Sequence, residues 1–116
     1  MAITNQNFML FQRSDYELKY TISDEDGNPQ DCTGASFEFV LVDLRTANDT
    51  LRISDDSRFA VSGTDNNVVT ITISEEELDV NESVYRHELR LRDVFGNTAP
   101  VATGTVTIEM SSTNIF

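Results

Sequence analysis

Residues 83–92 read SVYRHELRLR, with Tyr85, His87, Leu89 and Leu91 alternating against Arg86, Glu88, Arg90 and Arg92. Successive strand side chains point to opposite faces, so this run predicts a strand with one face in a core and one in water. It puts His87, the one histidine of the chain, on the buried side. A lone histidine between Tyr85 and Leu89, with no cysteine or second histidine nearby in sequence, reads as a core residue rather than a zinc ligand or general base.

The same period recurs on both sides of this strand. Tyr16, Leu18, Tyr20 and Ile22 alternate with Glu17, Lys19 and Thr21, and the run stops in the turn cluster DEDGNP at residues 24–29. Gly27 accepts positive φ there, and Pro29 cannot continue a ladder. Residues 35–44 place Phe37, Phe39 and Leu41 on one face and Glu38, Val40 and Val42 on the other, the half-apolar second face expected of a central or covered strand. Two short strands, Leu51 to Ile53 and Phe59 to Val61, flank the sequence Ser-Asp-Asp-Ser. VVTITI at 68–73 is a strand, SEEEL at 74–78 starts like a single helical turn, and FGN at 95–97 is another turn. The last strand is expected from Ala102 to Met110, with Val106, Ile108 and Met110 on one face. Seven to eight short strands with turn signals between them and no long helical period predict an all-β fold, an antiparallel β-sandwich.

The chain has 116 residues, enough for one domain that buries roughly two-thirds of its unfolded surface. We read residues 1–116 as that single domain, with short arms at 1–7 and 111–116. Twenty acidic residues against eight basic ones give a formal charge of -12. Such a field repels phosphate backbones and anionic lipid, so neither nucleic acid nor membrane is expected as a partner. The acids read as a solvated face. Cys32 is the single cysteine, so the chain cannot close a disulfide on itself. The N-terminal sequence lacks the charged and apolar regions of a signal peptide, and no stretch has the length of a membrane span.

Leu78, Asn81, Ser83 and Tyr85 resemble the tyrosine corner of immunoglobulin-like sandwiches, in which a tyrosine near the start of the penultimate strand bonds back to nearby backbone. His87 then stands where an antibody domain has its second cysteine. Longer stretches are similar to the immunoglobulin-like domains of tailed-bacteriophage structural proteins, including the N-terminal domains of baseplate upper proteins. The similarity is carried by Asp24, Asp26, Gly27, Pro29, Asp31, Thr33 and Gly34, by Phe37 and Phe39, by Tyr85 to Asp93 and Gly96, and by GTVTI at 104–108. Cys32 departs from the apolar residue usual at its position. The resemblance implies a non-enzymatic virion protein, a capsid decoration or a tail or baseplate accessory, whose partners are other virion proteins and copies of itself. A carbohydrate- or cell-surface-binding module of the same fold is the alternative. For that role the sequence lacks tryptophan, and the long region 45–67 offers only Phe59 as an aromatic platform.

The sequence assembles no catalytic group, cofactor site or metal cluster. A Cys32 nucleophile would need His87 delivered from across the sandwich. Asp24, Asp26 and Asn28 have the spacing of a calcium loop, but no glutamate closes twelve residues, so a β-turn is expected. Asp55 with Asp56, and Glu75 to Glu77, read as solvated acids. Interface residues are expected in three places. Phe8, Met9 and Phe11 lie in FMLF, a segment apolar on both faces that as an edge strand exposes either Met9 and Phe11 or Phe8 and Leu10. Arg86, Arg90 and Arg92 form a basic stripe open to cross-strand pairing or to an acidic partner. Ile115 and Phe116 end the chain.

Overall fold

A computed structural model describes residues 4, 5 and 7–110. Among these are nine strands: β1 (Thr4–Asn5), β2 (Phe8–Phe11), β3 (Tyr16–Thr21), β4 (Ser36–Asp43), β5 (Asp49–Ile53), β6 (Phe59–Ser62), β7 (Val68–Ile73), β8 (Ser83–Arg92) and β9 (Thr98–Glu109). They form two sheets, one in the order β1-β9-β8-β4-β5 with β2 also on β9, the other β3-β7-β6. The two pack as the β-sandwich that the alternation predicts, in the immunoglobulin-like manner that the resemblance implies. Strand β5 extends the larger sheet by one strand beside β4.

The inward residues of both sheets make one core, including Tyr20, Phe39, Leu41, Ile71, Ile73, Leu89, Val106 and Ile108, all fully buried. Each such side chain contributes roughly 1.5–3 kcal/mol by leaving water. The tyrosine corner forms as expected: Tyr85 Oη donates to the Asn81 carbonyl at 2.6 Å. His87 is fully buried. Its Nδ1 lies 3.1 Å from Tyr20 Oη, a hydrogen bond between the two sheets. Antibody domains have an inter-sheet disulfide at this place; here a tyrosine on β3 and the histidine on β8 span it. Phe8 packs its ring 4.7 Å from that of His87. Gly104, the cross-strand neighbour of His87, presents no side chain beside them.

Three expectations are corrected. The sandwich is not wholly antiparallel, because β1 and β2 run parallel to β9, with Thr4 opposite Ala102 and Phe8 opposite Val106. Between them Asn7 Oδ1 accepts from the Thr105 amide at 2.9 Å, standing in for a backbone carbonyl, so part of the expected N-terminal arm is stitched along β9. The last strand begins at Thr98 rather than Ala102. Pro100 disguises its start, since a proline marks an edge or a bulge, and the β8–β9 register does shift between Leu89 and Arg90. Met110, expected on the inward face of that strand, is exposed, because the strand's pairing ends at Glu109.

Candidate protein-interaction surface

The pleat of β2 settles which half of FMLF faces water. Leu10 is buried and Phe8 half-buried, while Met9 and Phe11 are 47% and 41% exposed. Phe8, expected with them at an interface, belongs instead to the inner face. Met9 sits opposite Thr107, and Thr107 opposite Val84, so these three form a row across the outer face. Val84 is exposed, and its carbonyl accepts from the amide of Leu44, another exposed residue. A shallow groove of about 450 Å³ runs over this end of the sheet, lined by Glu82, Val84, Thr107, Glu109 and Met110. An apolar patch on the β2 end of the larger sheet is the result. Scattered exposed side chains are ordinary, whereas adjoining ones mark a contact surface. Ile115 and Phe116 lie outside the described residues.

The arginine stripe divides. Arg90 Nη1 pairs with Glu88, its neighbour on the same face of β8, at 3.1 Å. Arg13, Arg45, Arg52 and Arg58 are also ion-paired. Among the described residues, no carboxylate pairs with Arg86 or Arg92. Arg92 Nε instead donates to Thr98 Oγ1 at 3.3 Å. Val40, on the outward face of β4, is buried, so the expected covered strand is real.

The acids do structural work in the loops. Asp24 Oδ1 accepts from the amides of Asp26 and Asn28, both at 2.9 Å, which makes 24–28 a capped turn. Asp55 accepts from the Ser57 amide at 3.0 Å and caps the 3₁₀ turn Asp56–Arg58. Glu77 closes the SEEEL turn by accepting from the Ser74 amide at 3.0 Å. It also takes a two-point ion pair from Arg58, and that guanidinium foremost holds the Glu77 carboxyl below its usual range. Cys32 is buried, and burial, then the charge of Asp31, pushes its thiol up to about 11. A thiol so held is mostly protonated at neutral pH and a poor nucleophile.

Two aromatic placements differ from the sequence reading. Phe59 lies in β6 with its ring 5.6 Å from that of Phe37, so it is no loop platform. Phe95, passed over as part of a turn, is 86% exposed at the tip of the β8–β9 hairpin. The sequence signal was an aromatic side chain inside a turn that does not need one. Among the described residues, no helix is long and apolar enough to cross a membrane. No protein-family model matches the chain, and no curated protein matches it.

Proposed function

We propose that this chain is a non-enzymatic structural module of a bacteriophage virion, a capsid decoration or a tail or baseplate accessory, that docks on a neighbouring virion protein. The observation that carries the docking role is the outer row of Met9, Thr107 and Val84, extended by Phe11, Leu44 and Met110. Met9 and Phe11 are exposed on the outer face of an edge strand that pairs only with β9, which supports their meeting a partner there. The virion assignment rests on the residues that resemble phage immunoglobulin-like domains, chiefly the Asp24 to Gly34 turn region and GTVTI at 104–108.

The test replaces Met9 and Phe11 together by serine in the chain expressed during particle production. Both side chains are exposed, so the fold persists, and losing interface hot spots costs about 2 kcal/mol or more each. The expected result is a drop of tenfold or more in copies per purified particle, counted by mass spectrometry. Unchanged incorporation refutes the reading.

A further inference from the structure

The chain uses one turn twice. Residues 24–28, DEDGN, and 93–97, DVFGN, share their hydrogen bonds position by position. The first aspartate amide donates to the asparagine carbonyl at 2.8 Å in one and 2.9 Å in the other, and the glycine amide donates to the aspartate carbonyl at 3.0 Å in both. In each, the aspartate Oδ1 accepts from the third and fifth amides at 2.9 Å. Gly27 and Gly96 take φ of 83° and 87°. The second and third positions are therefore free of the turn's requirements. One copy fills them with Glu25 and Asp26, the other with Val94 and Phe95, 67% and 86% exposed. Val94 lies against Gly34, but nothing in the hairpin calls for an aromatic ring at Phe95, and leaving it in water forgoes roughly 1.5–3 kcal/mol of burial.

Directly below that tip lies Arg92, without a carboxylate among the described residues of a chain with twenty acids. It lines a cleft of about 200 Å³ on the outer face with Ser36, Glu38, Ser54, Arg90 and Thr98. Glu38 is committed to Arg52, and the hydroxyls of Ser36, Ser54 and Thr98 add donors to the arginines. We infer that this end of the sheet binds an acidic polypeptide segment of a partner, one carboxylate seated against Arg92 and a nearby apolar side chain covering Phe95. Charge complementarity names the occupant. Among the described residues the cleft's other arginine, Arg90, is paired with Glu88, and its one carboxylate, Glu38, is held by Arg52, which leaves Arg92 at the cleft without an acid. The overall charge of -12 does not forbid an acidic partner. At physiological salt the Debye length is about 8 Å, so distant carboxylates are screened while a guanidinium in contact is not. Phe95 follows Arg92 by three positions across the start of the turn, so the two lie at most about 10 Å apart along the backbone, which in an extended ligand spaces the acid two or three positions from the apolar residue.

The experiment pans a random displayed dodecapeptide library on the immobilised full chain, then measures the best peptide by fluorescence anisotropy. The expected enrichment is Asp or Glu two or three positions from Phe, Leu, Ile or Met. Arg92→Gln and Phe95→Asp, the latter copying the twin turn, should each weaken the peptide at least tenfold with melting temperature unchanged. The Met9→Ser, Phe11→Ser variant should bind it normally, which separates this site from the docking patch. No enrichment, enrichment without acids, or full affinity in Arg92→Gln overturns the proposal. So does a glycan-array signal that depends on Phe95 but not on Arg92, which would make the site a carbohydrate platform, or a dimer of the chain itself that Arg92→Gln dissociates.

Discussion

Replacing Tyr20 by phenylalanine removes one oxygen from the centre of the sandwich and leaves the ring in place. That oxygen lies 3.1 Å from His87 Nδ1, and both residues are at most 1% exposed, so water cannot substitute for it. A hydrogen bond made in the open contributes about 0.5–1.5 kcal/mol, but stranding a buried partner costs roughly 1–3. We expect a loss of about 1–2 kcal/mol. Unfolding entropy near 2.1 cal/mol/K per residue makes each kcal/mol worth roughly 4 °C in a domain of this length, so the melting temperature should fall by about 4–8 °C. Urea unfolding should show a lower midpoint at unchanged slope, since the surface exposed on unfolding is the same. Tyr16→Phe is the control. Its hydroxyl accepts from the Phe11 amide at an exposed site, where water replaces it at a cost of a few tenths of a kcal/mol. If Tyr20→Phe melts within about 1 °C of the parent, or no lower than Tyr16→Phe, the inter-sheet bond does not hold the sheets and the comparison with a disulfide fails.

Two other outcomes follow from titrating groups. The Asn97 amide, then that of Phe95, holds the Asp93 carboxyl below its usual range. A carboxyl lowered in the folded state adds stability above its unfolded value near 3.9 and loses it as pH falls through the folded value. Asp93→Ala should therefore flatten the loss of stability below about pH 4, measured as urea midpoints at pH 7, 4 and 3; parallel curves for the two proteins would rule this out. For Cys32, a thiol at about 11 carries roughly a hundredfold less thiolate at pH 8 than an ordinary one. Modification by an aromatic disulfide reagent should be at least that much slower in buffer than in denaturant, and equal rates would show the site to be open.

What was legible in the sequence was local. The in-out alternation of β8 needs only neighbouring residues, and the tyrosine corner spans five residues, Asn81 to Tyr85. The parallel strands β1 and β2 depend on β9, with Asn7 bonded to Thr105 across most of the chain, and no local pattern encodes such a contact. Tyr20 and His87 each read correctly as core residues, but their pairing depends on how two sheets stack. Pro100 hid the start of β9 because a proline ends most strands, although on an edge it does not have to. Phe95 was hidden for the opposite reason. Gly96 and Asn97 announce a turn so strongly that the apolar residue beside them passes as filler until the twin turn at 24–28 shows it is not needed.

Strand β8 ties the two surfaces together. Its first residues, Ser83 and Val84, lie at the proposed docking patch, and its last, Arg92, lies at the arginine cleft. Ten residues at strand rise put roughly 30 Å between them. Between those ends β8 is paired with β4 on one side and β9 on the other, so the spacing is fixed rather than carried by a linker. A rigid spacer gains from two contacts only when the partners present their sites at the same distance, and loses the gain when they do not. Under the proposed docking at both ends, such a module would bridge two proteins already held in place by a larger assembly. That geometry suits a lattice component better than a free receptor, which would profit more from a flexible connection.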